Sequence, residues 1–333
     1  MPTMTDQSLP RPFGRREFIA IGTGALALAA LPIALRRHVA IARRTVPVMG
    51  TIAELTVVHR DEAVAQEALE AALAELRWVE TTMTRFSATS DIGRANAAAA
   101  REGVTVRPET ARLVETALRW SSASDGRFDP ALGAASELWD VTNRHEPPPS
   151  EQVARLANRS FWRHVDLSVG AGQGVLRYGD RDLHLDLGGI GKGYAIDRAV
   201  QALRNRGIEH AIVNLGGDLY AIGESPEGGA WRVGIRSPDD LRAVARTLEV
   251  SNRAVATSGD YERFFRYRGT RYHHLMDPAT AAPRQTSVRS VTVLADKCVD
   301  AEPCAVSVFG LSEDRALAFA RTQIPGVDVL TIA

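Results

Sequence analysis

The stretch LDLGGIGKGYAID, residues 185–197, combines charged side chains with four glycines, which have no side chain to cover the backbone. Asp186 and Asp197 lie near its ends, Lys192 lies between them, and glycine occupies positions 188, 189, 191 and 193. Glycine adopts positive φ without strain and lets a ligand approach the main chain, and lysine supplies charge for an oxyanion. These residue types indicate a site for a phosphorylated ligand, with a simple tight turn before a helix as the alternative.

Neither common nucleotide-binding motif explains the stretch. In the frame of G-x-x-x-x-G-K-[ST], Asp186 replaces the first glycine and Gly193 replaces the hydroxyl residue. The dinucleotide pattern G-x-G-x-x-G fails because Tyr194 stands where its last glycine belongs. A different phosphate chemistry has to be considered.

Three more clusters carry residues that could do chemistry. Each also has a structural explanation, as a glycine turn, a core histidine or a helix cap. Asp300 and Cys304 are four residues apart, so they share one face if their segment is helical. The clusters are NLGGDL, with Asn214 and Asp218; ATSGDYERFF to RYHHLMDP, with Thr257, Ser258, Asp260, His273, His274 and Asp277; and DKCVDAEPC, with Asp300 and Cys304.

The order of these clusters along the chain resembles that of the ApbE-type flavin transferases (FAD:protein FMN transferases). Single motifs are weak signals, but here eight follow one another at sensible spacings between residues 48 and 309. They are VMGT, MTRFSATSDIGRAN, DGRFDPALG with LWD, LDLGGIGKGYAID, VNLGGDLYAIG, TSGDYERFF, YHHLMDPATAAP, and SVTV with VDAEPCAVSVFG.

The resemblance implies a fold and a reaction. The fold would be a T-fold-like α+β arrangement. The reaction would be Mg²⁺-dependent transfer of FMN from FAD to a threonine or serine hydroxyl of an acceptor protein, with release of AMP. The acceptor would carry a D-x-x-[ST]-G-A-[ST] motif and belong to a membrane-associated redox system; this chain has no such motif, so self-modification is not expected.

The acceptor hydroxyl must lose a proton in such a reaction, and His274 is the candidate general base, with steering of phosphate as its alternative role. The resemblance also implies roles for other residues. The metal would be held by Asp300, by Cys304 and by the backbone carbonyl of Gly189, with Gly191 as the alternative. Positions that match flavin-nucleotide contacts of the family are Met49, Phe86, Arg127, Phe128, Asp129, Asp186, Lys192 and Met276.

Three positions depart from the family pattern. Ala131 replaces the threonine of a usual DPT, Ala281 replaces the glycine of a usual TG, and Cys304 stands where threonine is usual. Sulfur is a poor ligand for Mg²⁺, which prefers oxygen. Cys304 therefore keeps open the alternative of a non-catalytic flavin-binding or carrier protein. An FAD pyrophosphatase that yields FMN and AMP is a further alternative.

The elements that would position these residues are a mixture of helices and strands. Apolar spacing predicts helices over residues 62–83, 109–122, 193–207, 304–311 and 312–321. Strands are expected over 50–58, 182–187, 231–236, 253–257, 263–268 and 288–294, and residues 210–223 predict strand, glycine turn and strand. Without steady β-α alternation, an α+β fold with largely antiparallel sheets is expected.

Composition and the N-terminal sequence narrow the possible functions and the possible location of the protein. Forty basic residues balance forty acidic ones, which disfavours a nucleic-acid-binding protein. Arg15 and Arg16 precede an apolar run, so residues 1–44 are expected to be a twin-arginine export signal, or else a membrane anchor, ahead of a domain over 45–333. The protein would then be periplasmic or anchored facing outside.

Cys298 and Cys304 on one helix would be about 9 Å apart along its axis, too far for a disulfide.

Overall fold

The computed structural model describes residues 39–170 and 172–333. Its strands are β1 (Ala40–Val48), β2 (Thr51–His59), β3 (Val104–Val106), β4 (Val165–Gly170), β5 (Gln173–Tyr178), β6 (His210–Leu215), β7 (Asp218–Ile222), β8 (Trp231–Arg236), β9 (Val244–Val250), β10 (Arg253–Gly259), β11 (Phe264–Tyr267), β12 (Thr270–His273), β13 (Met276–Asp277), β14 (Ala282–Pro283), β15 (Ser290–Ala295) and β16 (Asp328–Ile332). Its α-helices are α1 (Glu62–Met83), α2 (Asp91–Ala98), α3 (Pro108–Ala123), α4 (Gly133–Trp139), α5 (Ser150–Leu156), α6 (Gly191–Arg204), α7 (Cys298–Val308) and α8 (Glu313–Gln323), with a 3₁₀ helix at Phe161–His164.

The centre of the fold is a seven-stranded sheet in the order β1-β2-β6-β7-β10-β15-β16. Every pair of neighbours in this sheet is antiparallel. The expected α+β class with largely antiparallel sheets is confirmed.

The two faces of the sheet are covered by different elements. Along β7, Tyr220 and Ile222 face the core shared with helices α1, α6 and α7, whereas Leu219 and Ala221 face the opposite side. There the β8–β9 ribbon packs, and Trp231 donates from Nε1 to the carbonyl of Ile222 at 3.0 Å. Alternation along the strands therefore places helices on one face and a ribbon on the other.

The described structure includes residues on both sides of the boundary predicted at residue 45. Strand β1 starts at Ala40 and pairs along its whole length with β2, and residues from Val39 onward form one unit. Ala42 and Val48 are buried while Arg43 is exposed, so the arginine pair at 43–44 belongs to an edge strand. The predicted export signal or anchor otherwise lies in residues 1–38, outside the described residues.

The strand predicted over residues 182–187 is wrong. Leu183, Leu185 and Leu187 are buried, which accounts for the alternating pattern, but the segment makes only an isolated bridge between His184 and Leu132. Its backbone is satisfied by a side chain instead: Asn96 donates to the carbonyl of Leu185 at 2.9 Å and accepts from its N–H at 2.8 Å. An asparagine from α2 thus replaces a neighbouring strand.

The helix predicted over residues 304–311 begins six residues earlier, at Cys298. Its first N–H groups are satisfied from another helix, because Asp197 of α6 accepts from Cys298 and from Val299, each at 2.9 Å. Both cysteines therefore lie on one helix, buried and free, as the spacing argument expected.

Candidate active site

The glycine-rich stretch is a loop that ends in the first turn of α6. Asp186 closes the loop by accepting from the N–H of Gly188 at 2.9 Å, and its other oxygen lies 3.0 Å from Nε of Arg85. Gly191 then starts the helix by donating to the carbonyl of Leu187 at 2.7 Å. No side chain caps this helix start.

Two of the glycines are required by close packing. A Cβ on Gly193 would lie 2.3 Å from the carbonyl oxygen of Cys298, so the starts of α6 and α7 touch backbone to backbone. A Cβ on Gly189 would lie 3.0 Å from the ring of Phe128. The absence of a side chain at Gly193 therefore allows the starts of α6 and α7 to come into contact.

Lys192 lies between two buried carboxylates at this junction. Its ammonium donates to Asp218 of β7 and lies 3.3 Å from Oε1 of Glu302 on α7. Burial alone would lower the pKa of Lys192, but the two carboxylates outweigh that effect and raise it. Lys192 is accordingly a permanent cation, with 27% of its side chain exposed.

Glu302 and Asp218 are tied to the backbone as well. Glu302 accepts from the N–H of Gly193 at 2.8 Å, and Asp218 accepts from the N–H of Thr257 at 2.9 Å. Burial, followed by the charge of Asp218, raises the pKa of Glu302, and Lys192 opposes that shift. The cluster joins α6, α7, β7 and β10 at one point.

The residues expected to hold a metal are on α7 and in the loop before α6. Oδ1 of Asp300 accepts from Nε1 of Trp120 at 3.3 Å and lies 3.5 Å from the Arg119 guanidinium. Cys304 is fully buried, and burial, with the charge of Asp300, raises the pKa of its thiol to about 12. Within residues 39–170 and 172–333, no three His, Cys, Asp or Glu side chains are grouped to hold a metal ion.

This donor set fits Mg²⁺ only in part. The Asp300 carboxylate and the Gly189 carbonyl are hard oxygen donors of the kind that Mg²⁺ takes. A neutral thiol is not, and Cys304 is held neutral. A cation here would need most of its ligands from water and from substrate phosphates.

The two histidines of RYHHLMDP have different surroundings. His273 is buried, lies 2.8 Å through Nε2 from the Arg284 carbonyl and accepts at Nδ1 from Leu275 at 3.2 Å, so both ring nitrogens are used by the fold. In His274, Nδ1 is buried and has no hydrogen-bond partner. Burial, followed by the charges of Arg263 and His273, lowers the pKa of His274 to about 3. His274 is neutral and has an acceptor or donor free for a ligand.

Met49, Phe86 and Met276 are available to a ligand. Met49 has φ of +54°, donates from its N–H to Glu80 at 2.6 Å, and turns its methyl toward Gly191. Phe86 is 82% exposed and lies under the Arg85 guanidinium, 4.2 Å from its ring centre. Met276, in β13, is half-buried. Met49, which lies next to Gly191, and Phe86, which lies under Arg85, both border the loop that contains Asp186.

The GRFDP residues are engaged mainly with the protein itself. Arg127 donates to the carbonyls of Ser307 and Phe309, at 2.7 and 2.9 Å, and so closes the end of α7. Asp129 accepts from the N–H of Ala131 at 2.8 Å, and burial raises its pKa to about 6. Two of this group border the glycine-rich loop directly: Phe128 packs against Gly189, and the carbonyl of Pro130 accepts from the N–H of Asp186 at 2.7 Å.

Sequence reasoning gave no role to Glu302 or Arg85. Glu302 lies in a mainly apolar helix whose other acidic residue is Asp300, and a buried carboxylate requires a partner. That signal could have drawn attention to it, although its partner lies far away along the chain. Arg85 had no such signal.

The architecture is that of solved flavin transferases. A structure titled as the ApbE protein of Thermotoga maritima superimposes with a TM-score of 0.79 at 28% identity, covering 88% of this chain and 94% of that one. The flavin transferase ApbE of Vibrio cholerae gives a TM-score of 0.76 at 27% identity, covering 89% and 94%. The T-fold-like α+β architecture is confirmed.

The chain belongs to the ApbE family, whose model matches residues 49–331. A curated relative from Treponema pallidum, named FAD:protein FMN transferase, is 34% identical over 86% of this chain and 82% of its own length. The resemblance drawn from the motifs, and the transferase class, are confirmed.

Proposed function

We propose that this protein transfers FMN from FAD to a threonine or serine hydroxyl of an acceptor protein and releases AMP. The observation that carries the proposal is the family match over residues 49–331, a range that contains Lys192, His274 and Asp300. Two relatives named FAD:protein FMN transferase match this chain over 82% and 84% of their own length. Flavin transfer to protein is the activity those names state.

The reaction needs a group that accepts the proton of the hydroxyl, and it needs the negative charge on the pyrophosphate oxygens to be neutralised. The acceptor hydroxyl oxygen would bond to the phosphorus of the FMN half, the bond from that phosphorus to the bridging oxygen would break, and AMP would leave with that oxygen. The hydroxyl proton would pass to His274, which is neutral and has an unpartnered Nδ1. A buried polar atom without a partner is uncommon, and a bound ligand is the partner this one lacks.

Mg²⁺, held by Asp300 and the Gly189 carbonyl, would neutralise charge on the pyrophosphate oxygens. The protein's own part is to fix the loop that meets those oxygens. The Lys192 cluster does so by binding the first turn of α6 to α7, and Asp197 does so by capping α7. Met49, Phe86 and Met276 would contact the flavin nucleotide.

Cys304 favours a second candidate, because a neutral buried thiol at a metal position weakens the case for efficient transfer. That candidate is a flavin-binding or carrier protein without activity. The remaining alternative is an FAD pyrophosphatase, in which water replaces the acceptor hydroxyl. Incubation with FAD, Mg²⁺ and a D-x-x-T-G-A-T peptide separates them. We expect AMP and a fluorescent peptide. AMP with free FMN would establish hydrolysis, and unchanged FAD would exclude both reactions.

The proposal includes export by the twin-arginine route, with the acceptor a membrane-associated redox protein. Its support is the arginine pair and apolar run ahead of the domain. Among the described residues, no helix is both long and apolar enough to cross a bilayer. Fusion of residues 1–44 to a reporter, compared with an Arg15→Lys/Arg16→Lys form, tests this: export of both or of neither contradicts it.

A further inference from the structure

The β11–β12 ribbon carries an excess of positive charge in a chain that has no net charge. Residues 263–276 contain four arginines and no aspartate or glutamate. Arg271 is paired with Asp260 at 2.8 Å. Arg263, Arg266 and Arg268 are exposed and form no ion pair with any carboxylate in the described parts of the chain.

Alternate residues of β11 point toward the fold and toward solvent. Phe265 and Tyr272, which are paired across the strands, stack on each other at 5.2 Å, and Tyr272 stacks on Trp139 at 5.4 Å. This aromatic stack anchors the inner face. The outer face carries Phe264 and Arg266, both exposed.

The outer face carries cations that no carboxylate of the described residues pairs. Arg266 lies directly opposite Arg271 in the ladder, and Asp260 pairs with Arg271 and not with Arg266. Arg268 sits in the two-residue hairpin turn with φ of +47°, where asparagine or glycine is favoured. An anionic partner would give Arg266 and Arg268 the counter-charge that they lack among the described residues.

The ribbon also starts at the candidate active site. The carbonyl of Arg263 accepts from the N–H of His274 at 3.1 Å, and its guanidinium donates to the carbonyl of Gly50 at 3.1 Å, next to Met49. Beyond their mutual pairing, β11 and β12 join no other strand among the described residues. Arginine and exposed aromatic side chains on an open ribbon are features of protein interfaces.

We propose that the outer face of this ribbon, formed by Phe264, Arg266 and Arg268, docks an acidic segment of the acceptor protein beside the hydroxyl to be modified. This inference rests on the proposed function. Complementary charge would raise the rate of encounter and lower the KM for the acceptor, without touching FAD. A protein partner is favoured over a lipid surface because the ribbon leads directly to His274.

The test uses two synthetic peptides with the same D-x-x-T-G-A-T core, one flanked by glutamates and one by lysines. We expect the protein to show a KM about tenfold lower for the glutamate-flanked peptide at low salt, and the preference to shrink as salt is added. In Arg266→Glu/Arg268→Glu the preference should invert, with FAD affinity unchanged. Arg232→Glu/Arg246→Glu, the same charge change on the exposed side of the β8–β9 ribbon, should keep it.

A second variant separates docking from folding. Arg268→Asn suits the left-handed turn better, so it should leave the Tm equal or higher while raising the KM for the glutamate-flanked peptide about threefold. Equal KM values for the two peptides, or a preference unaffected in both ribbon variants, would overturn the proposal. So would binding of anionic phosphatidylglycerol vesicles through the ribbon with no peptide preference.

Failure of the proposed function gives a different result. If the protein modifies neither peptide, transfer is contradicted, and fluorescence anisotropy of the labelled peptides still decides the docking question. Tighter binding of the glutamate-flanked peptide that is lost in Arg266→Glu/Arg268→Glu supports the surface even then. Equal binding of both peptides overturns it.

Discussion

The Lys192 ammonium lies 3.3 Å from the Glu302 carboxylate while it also donates to Asp218, so one cation serves two buried anions. The two carboxylates are not equivalent. Asp218 makes the closer contact and also accepts from Thr257, whereas Glu302 has its pKa raised by burial and by the charge of Asp218. The pair Lys192–Asp218 is therefore the stabilising one.

Glu302→Gln should change the free energy of unfolding by no more than about 1 kcal/mol, because a neutral amide keeps an acceptor for Gly193 and removes a carboxylate that burial disfavours. Asp218→Asn should cost about 3 kcal/mol, since it leaves Lys192 with the more distant partner. Urea denaturation at neutral pH measures both. Equal losses in the two variants would contradict the ranking.

Gly193→Ala should destabilise the protein by about 3 kcal/mol or prevent folding, because the new methyl would meet the Cys298 carbonyl at 2.3 Å. Gly191→Ala is the matched control in the same helix turn. Its methyl would find nothing closer than 3.8 Å, so alanine's higher helix propensity should leave the Tm equal or raised. A Tm that falls alike in both variants would argue against the close helix contact.

How well the sequence predicts a segment depends on whether the residues that hydrogen-bond to it lie near it along the chain. Helix α1 was predicted with its observed bounds, residues 62–83, because its apolar spacing and its Asp61 cap are local signals. The strand at 182–187 was wrong because Asn96, 89 residues away, satisfies Leu185. Glu302 was missed for the same reason, since Gly193 lies 109 residues from it. Long-range polar pairing is not encoded in local periodicity.

His274→Gln should make the protein less sensitive to acid. In the folded state the pKa of His274 is about 3, below its ordinary value of 6.5, so the unfolded state binds the proton first. The stability contributed by His274 is full above pH 6.5 and is lost as the pH falls toward 3. The drop in Tm between pH 7.5 and 5 should therefore be smaller in the variant. An unchanged drop would show that the ring is accessible to protons in the folded protein.

The same variant separates proton transfer from binding. If His274 accepts the proton of the acceptor hydroxyl, His274→Gln should lower kcat by about 100-fold or more while the Kd for FAD stays within about threefold. FAD fluorescence measures the affinity, and peptide fluorescence measures the turnover. Parallel losses in both would reassign His274 to binding of the nucleotide.

Cys304→Thr should lower the Mg²⁺ concentration needed for half-maximal activity, by about tenfold, because it places a hydroxyl oxygen where a buried thiol now lies. Cys298→Ser is the control: it makes a similar sulfur-to-oxygen change on α7, at a residue whose thiol donates to the Leu219 carbonyl at 3.3 Å. The control should leave the Mg²⁺ dependence as it was. Calorimetric titration of Mg²⁺ in the presence of FAD gives a readout that does not depend on turnover. An unaltered Mg²⁺ affinity in Cys304→Thr would remove Cys304 from the metal site and leave Asp300 as the side-chain ligand proposed there.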